Sequence, residues 1–461
     1  MVVYGLVTCF INGDCFAPFW GLASPEEAVM IGIVLFSVFV VLMVIGVPIG
    51  VAMGIAATIS IALANTDTLW FGLLAVPQNF YASLGKYPLL ALPMFVLVGT
   101  IFERSGVASR LVNLAISILG RGRGVLPIVA ILVAMLLGGI SGSGPATAAA
   151  VGGVMIVAMT RAGYPKAFSA SVIGASAAID ILVPPSIALI VYSILVPSAS
   201  VPAMFAAGLF PGLLFGLALM VPAYFLSRHY NLGLAEVTLP KPKFWSSLIE
   251  ASWGLAAPVL ILGGMRAGLF TPTEAAVVAV FYGLFVGMVI YRTITFRDLY
   301  FILRDAGELS AIILMVVALA GIFAYSLSTL GIIDPITQAI VHSGLGEYGI
   351  IVMLIILLIF VGMFLDGISI FLIFVPLLMP IALFFEWNLI WFGILLTVMV
   401  AIGQFTPPIA VNLMVSCKIA GVPIEDTIRW VLWLLLATFL LLALLIIFPA
   451  IATWFPEWLG Y

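Results

Sequence analysis

Charge is scarce in this sequence. Lys and Arg number 16 and Asp and Glu 19, together 8% of 461 residues, against about 25% in a soluble globular protein. No stretch of even ~60 residues has a soluble composition. This excludes a cytosolic enzyme, a nucleic-acid binder and a disordered chain, and it leaves no room for a large soluble domain. Histidine is nearly absent. His229 and His342 are isolated from each other, so neither is read as catalytic, and the His pair on one helix that a zinc protease needs is missing. Cysteine is limited to Cys9, Cys15 and Cys417. Cys417 sits in an apolar stretch and reads as a core residue. Cys9 and Cys15 flank the turn Asn12-Gly13-Asp14; two free thiols are the default, and a disulfide there requires an oxidising side of the membrane. No Lys or Arg precedes Lys86, so the N-terminus lacks the positive region of a secretory signal.

What remains is apolar. Hydrophobic residues make up 65% of the chain and the mean hydropathy is +1.35. A soluble fold of this size cannot hide that much apolar surface, so the solvent is a lipid bilayer. The apolar runs are helix-length, which argues against a β-barrel. At roughly 20 residues per span the chain holds about 10 to 13 membrane segments. The 44 Gly and 27 Pro are many for straight helices. They indicate broken helices and re-entrant turns, tolerated where protein or water covers the freed backbone.

Basic residues orient the middle of the chain. The loop 228–247 carries Arg228, Lys241 and Lys243, and the loop 292–308 carries Arg292, Arg297 and Arg304. Two spans joined by a short turn near Arg266 separate them. The positive-inside rule puts both loops in the cytoplasm and the turn outside.

An internal repeat is the most informative feature. Gly139-Ile140-Ser141-Gly142-Ser143-Gly144 aligns with Gly362-Met363-Phe364-Leu365-Asp366-Gly367 at a separation of 223 residues. Val183-Pro184-Pro185-Ser186 aligns with Thr406-Pro407-Pro408-Ile409 at the same separation. The chain reads as two related halves, 87–227 and 309–453. In each, a Gly-rich break is followed by a Pro-Pro pair inside a membrane-length apolar run. Consecutive prolines remove two backbone donors and free carbonyls one turn back, which is costly in lipid unless something satisfies them. Paired interruptions in matching positions of two repeats point to a transporter's midplane site.

Half-helix N-termini favour anions, whereas unwound carbonyls and C-termini favour Na⁺. Ser141 and Ser143 add hydroxyls at the first tip, Thr406 adds one beside the second Pro-Pro, and Asp366 is an intramembrane carboxylate at the second tip. Taken singly, each feature has a plainer reading: close helix packing for the Gly-Ser run, a kink for Pro-Pro, a helix cap for Asp366. Their repetition at one separation favours a site. Asp180, four residues before Pro184, has Gly403 as its repeat partner. It can bind a cation, carry a proton or cap a half-helix.

These residues resemble the large membrane subunit, the M or DctM-like subunit, of tripartite ATP-independent periplasmic (TRAP) transporters. The similarity starts near residue 26 and includes Gly46-Val47-Pro48-Ile49-Gly50, Tyr87-Pro88-Leu89-Leu90-Ala91-Leu92-Pro93, Ser141-Gly142-Ser143-Gly144-Pro145-Ala146-Thr147-Ala148, Gly163-Tyr164-Pro165 and Val183-Pro184-Pro185-Ser186. In the second half it includes Leu365-Asp366-Gly367, Ala401-Ile402-Gly403 and Thr406-Pro407-Pro408. The resemblance implies an all-α polytopic membrane protein with two inverted repeats, re-entrant hairpins and broken helices, a scaffold and an elevator-type transport domain. It implies import of a small organic acid anion delivered by a periplasmic substrate-binding protein, coupled to Na⁺. It also implies a small four-helix Q subunit, here expected as a separate chain, and a bacterial or archaeal cytoplasmic (inner) membrane location. There are departures. Many relatives have Asp at the position of Thr147, an Asn near Met399, and a small or apolar residue at Asp180. Sialic-acid-type relatives carry an Arg near Thr329. The first two changes alter side-chain cation contacts and leave carbonyl ligation intact; the Thr329 change argues against a copied sialic acid site.

The expected organisation is therefore an N-terminal extension at 1–25 and scaffold helices at 26–86. The first repeat is 87–227, with a hairpin near 139–160 and a broken helix near 166–197. Connecting loops and scaffold helices fill 228–308. The second repeat is 309–453, with a hairpin near 362–386 and a broken helix near 389–420, and a tail covers 454–461. Substrate contacts are assigned to Ser141, Gly142, Ser143, Gly144, Pro184, Pro185, Ser186 and Thr329. Na⁺ is assigned to Ser141, Ser143, Asp366, Gly367, Gly403, Thr406 and Pro407, with Asp180 as an additional cation or proton site. The alternative is a stand-alone ion-coupled exchanger or channel of the same superfamily, without Q or binding-protein partners. An intramembrane aspartyl protease using Asp180 and Asp366 is disfavoured, because those positions are not repeat-equivalent.

Overall fold

A computed structural model of the chain describes residues 25–66, 69–120, 122–234 and 242–461. The Cys9–Cys15 question, nearly all of the 1–25 extension and Lys241 lie outside the described residues. Among the described residues all regular structure is helical. Among those residues, seven helices are long and apolar enough to cross a membrane, and seven more apolar helices are shorter, at 10–17 residues. The protein is an all-helical polytopic membrane protein.

Capping signals in the sequence set several helix starts. Thr271 opens the helix Pro272–Phe285 with a capping box: its hydroxyl accepts from Glu274 N at 3.4 Å, and Glu274 Oε2 accepts from Thr271 N at 2.8 Å. Asn388 Oδ1 accepts from Ile390 N and Trp391 N at 2.9 and 3.1 Å, opening Leu389–Gly403. A cap of this kind contributes about 1 kcal/mol. Thr271→Ala is thus expected to speed amide exchange in the first turn, Glu274–Ala276, about fivefold; an unchanged rate would mean the box adds nothing.

The loop expected at 292–308 is mostly helix, because Phe296–Thr329 is continuous. Asp298 Oδ2 accepts from Thr295 N at 2.9 Å and Thr295 Oγ1 accepts from Asp298 N at 3.3 Å, a second reciprocal cap. The charges that looked like a solvated loop line this helix instead, and Asp305 pairs with Arg104 at 2.5 Å.

The chain divides into two compact units. One comprises residues up to Lys86 with Ile312–Ile350 and Leu372–Phe385. In it, Gly54 lies so close to Leu319 that a Cβ would sit 2.6 Å from its Cδ2. Phe36 and Phe39 pack on Phe323 with centroids 6.0 and 5.8 Å away, and Ser326 Oγ donates to Ala57 O at 3.3 Å.

The other unit comprises Tyr87–Ala311, Ile351–Phe371 and Glu386–Tyr461. Within it lie four interruptions. Helices Val125–Ser141 and Gly144–Arg161 meet at Gly142-Ser143. Helix Lys166–Ala177 tightens to a 3₁₀ turn at Ala178–Ile181, and the chain resumes helix at Ile187–Leu195. Helix Gly346–Gly362 ends before Asp366, and the next begins at Gly367. Helix Leu389–Gly403 breaks and resumes at Val411–Ala420. Both Pro184-Pro185 and Pro407-Pro408 are cis and lie in the second and fourth interruptions.

Candidate ion and substrate site

Each tip seats on a Pro-Pro break. At the first tip, Gly142 adopts a left-handed φ of +63° and its Cβ position is 2.8 Å from Pro185 O and 3.3 Å from Ile187 N. Only glycine fits both the conformation and the space. Gly139 stands against Pro184 O in the same way, at 3.2 Å. At the second tip, Met363 O accepts from Ala410 N at 3.0 Å. There Gly403 packs directly on Gly362, its Cβ position only 2.7 Å from the facing Cα.

The first tip brings two bare helix N-termini together. Ser143 precedes Gly144–Arg161 and Ser186 precedes Ile187–Leu195, and neither side chain caps its helix. Ser186 Oγ instead donates to Ile181 O at 2.7 Å. The first-turn N–H groups, which a helix leaves without intrahelical partners, and the positive ends of two helix dipoles therefore converge beside Gly142, a setting that favours an anion. Ser141, Gly142, Gly144, Pro184, Pro185 and Ser186 are buried, and Ser143 is half-buried. Ser141 Oγ is buried without a hydrogen-bond partner, which leaves an oxygen free for a cation or a substrate.

The second tip is built differently. Asp366 caps the helix Gly367–Phe384: Oδ2 accepts from Ile368 N and Ser369 N at 3.1 and 3.3 Å, and Ser369 Oγ donates to Oδ1 at 2.5 Å. The carboxyl group is half-buried and sits at the start of a helix, where the helix dipole favours negative charge. Thr406 Oγ1 donates to Ile402 O at 2.6 Å, so its proton is engaged and its lone pairs are available. Gly367 and Gly403 are buried and Pro407 is half-buried. Thr329 is exposed at the end of Phe296–Thr329 and belongs to the other compact unit.

The amides Gln404 and Asn412 were not singled out from sequence, although a Gln and an Asn inside the apolar run 389–420 were a usable signal. Asn412 N donates to Gln404 O at 3.1 Å, and Asn412 Nδ2 donates to Gln404 Oε1 at 3.2 Å, closing the second break on itself. The Asn412 amide also lies 2.7 Å from the Cβ position of Gly144, which ties the second broken helix to the first hairpin. Asp180 is fully buried in the 3₁₀ turn, and the Thr147 hydroxyl donates to its Oδ2.

Comparison with known proteins follows the same pattern. The family described as "Tripartite ATP-independent periplasmic transporter, DctM component" matches residues 36–451. A C4-dicarboxylate TRAP transporter large permease protein DctM of Pseudomonas aeruginosa is 38% identical over 375 residues, covering 81% of this chain and 87% of that one. An isethionate TRAP transporter permease protein DctMQ of Oleidesulfovibrio alaskensis is 35% identical over 423 residues, covering 92% of this chain and 66% of that one. A sialic acid TRAP transporter large permease protein SiaM of Vibrio cholerae is 33% identical over 424 residues, covering 91% and 97%. These relatives are transporter permeases, not enzymes, and a match of this length, with several such relatives, settles membership: the chain belongs to the DctM family of large permease subunits of tripartite ATP-independent periplasmic transporters.

Proposed function

We propose that this chain is the permease of a Na⁺-coupled importer of an organic acid anion, working in a bacterial or archaeal cytoplasmic membrane by elevator movement of a transport domain built from two inverted repeats. The observation that carries the reading is the convergence of two uncapped helix N-termini beside Gly142, next to the partnerless Ser141 hydroxyl. Ser141, Gly142, Ser143, Gly144, Pro184, Pro185 and Ser186 line the anion, and the first-turn N–H groups of Gly144–Arg161 and Ile187–Leu195 are pre-aligned toward it, so little ordering is left for binding to do. Ser141, Ser143, Asp366, Gly367, Gly403, Thr406 and Pro407 hold Na⁺, which supplies positive charge that offsets the anion in a low-dielectric site. Asp366 holds the second tip in shape through its cap while presenting that charge. The basic loops at 228–247 and after Tyr291 face the cytoplasm.

A periplasmic substrate-binding protein delivers the anion, and a small Q subunit accompanies the chain. One relative bears a combined DctMQ name and is longer than this chain, so Q is expected either as a separate chain or fused. Several relatives are named for C4-dicarboxylates, which makes a C4-dicarboxylate the first anion to test.

The test is uptake of radiolabelled succinate, then of other organic acids, by proteoliposomes holding the complex. Uptake that requires both the binding protein and an inward Na⁺ gradient is expected. Uptake or exchange in the absence of any binding protein would favour the stand-alone exchanger instead.

A further inference from the structure

We propose that Asp180, together with Thr147, forms a binding site for a monovalent cation, distinct from the two hairpin-tip positions. Only its use as a further coupling ion rests on the importer reading; the binding itself stands on the geometry that follows.

Asp180 is 0% exposed. Its Oδ2 accepts from the Thr147 hydroxyl, and its Oδ1 has no hydrogen-bond partner. Oδ1 is turned toward Gly138, where it occupies the space of a Cβ, 2.6 Å from the ideal position. Gly138 thus makes room for this carboxylate. Two further buried oxygens without partners flank the place. Ser141 Oγ is one helical turn beyond Gly138, and Asn412 Oδ1 packs on Gly144, one turn before Thr147.

Among the described residues, no charged side chain on the helices packed against the 3₁₀ turn reaches the carboxylate. The helices packed on the 3₁₀ turn are Val125–Ser141, Gly144–Arg161, Lys166–Ala177, Ile187–Leu195, Val201–His229 and Leu389–Gly403. Val125–Ser141 and Leu389–Gly403 contain no ionisable residue. Arg161 is 14 residues beyond Thr147 on the same helix, about 21 Å at 1.5 Å per residue. Lys166 opens its helix 11 residues before Ala177, about 16 Å away. Tyr224, Arg228 and His229 begin 12 residues beyond Gly212, whose Cβ position faces Val183, about 18 Å along that helix. Tyr192 is engaged elsewhere, its hydroxyl donating to Leu389 O at 2.6 Å.

Among the described residues, one hydroxyl is thus the only hydrogen-bond partner of this fully buried acid. A buried carboxylate with no counter-charge does not persist as a bare ion. The missing charge is a single positive one. It is supplied by an alkali ion ligated by Oδ1. Thr147 fixes the acceptor oxygen through its hydroxyl. The carboxylate bridges the first hairpin and the first broken helix, so its cation is held only while those two elements stay together.

The full chain, purified, is melted along two series: NaCl replacing KCl at constant ionic strength and pH, and pH at constant salt. Wild type is compared with Asp180→Asn, Thr147→Val and Asp366→Asn. Asp180→Asn is isosteric and neutral and is expected to fold while losing one cation-dependent component of the melting temperature. Loss of the pH-dependent component alone would mean a protonated carboxyl and would overturn the site; loss of the Na⁺-dependent component identifies the alkali ion. Asp366→Asn is expected to retain that component, so failure of the hairpin-tip Na⁺ reading leaves this one standing. Thr147→Val keeps the carboxylate and removes its one hydroxyl partner; it is expected to weaken the apparent cation affinity about tenfold, and it carries the test if Asp180→Asn does not fold. A wild-type Na⁺ response in Asp180→Asn, or a wild-type affinity in Thr147→Val, would overturn the proposal.

Discussion

Gly403→Ala is expected to lower the melting temperature sharply and to abolish transport. A Cβ at Gly403 would lie 2.7 Å from Gly362 Cα, 2.9 Å from Gly362 C and 2.9 Å from Ile359 O. All three are backbone atoms, so no side chain can swing aside. The helices Gly346–Gly362 and Leu389–Gly403 must separate, and overpacking of this kind typically costs about 1–3 kcal/mol, occasionally more. The functional loss exceeds the stability loss because the same separation loosens the Met363–Ala410 hydrogen bond that seats the second tip on its Pro-Pro break. Melting of the purified chain and succinate uptake by the reconstituted complex measure the two effects. A variant with wild-type melting would show that the glycine–glycine contact is not what holds the tip.

Replacement of Asp366 is expected to remove the second tip's share of the Na⁺-specific stability. A ligand that binds only the folded state stabilises by about 2.7 kcal/mol at a hundredfold over its dissociation constant. Wild type should therefore melt higher in NaCl than in KCl of equal ionic strength. Asp366→Ala loses the charge and also the acceptor for Ile368 N and Ser369 N, and loss of a cap adds about 0.5–2 kcal/mol in either salt. Asp366→Asn keeps the acceptor and loses only the charge. The expected pattern is that both variants lose the part of the Na⁺-specific rise that belongs to the second tip, while only the alanine variant also melts lower in KCl. A full Na⁺ response in Asp366→Asn would reduce Asp366 to a helix cap, the plainer of its two roles.

The two predictions differ in where they were legible. Asp366 could be chosen from sequence, because an acidic residue inside an apolar run and aligned with Ser143 is conspicuous. Gly403 could be placed in the site by its register with the repeat, yet nothing in the sequence says which atoms it faces. Gln404 and Asn412 lay in plain view in the same run, but only the fold closes them on each other and sets Asn412 against Gly144.

What the sequence determined by itself was the solvent, the helical class, and the positions of the interruptions. Those follow from local rules: 8% charge requires a bilayer, and glycine and consecutive prolines break a helix wherever they fall. The charged stretch after Tyr291 misled, since charge density reads as loop while the reciprocal Thr295–Asp298 cap starts a helix. The tertiary structure decided which breaks meet which tips, that two N-termini near Gly142 stay uncapped while Asp366 caps a third, and that Thr147 and Asp180 share a hydrogen bond. The tip–break contacts and the Thr147–Asp180 bond join residues far apart in the chain and depend on how helices pack in three dimensions, which one-dimensional periodicity does not encode; the Asp366 cap is local, but whether it forms depends on where the helix breaks.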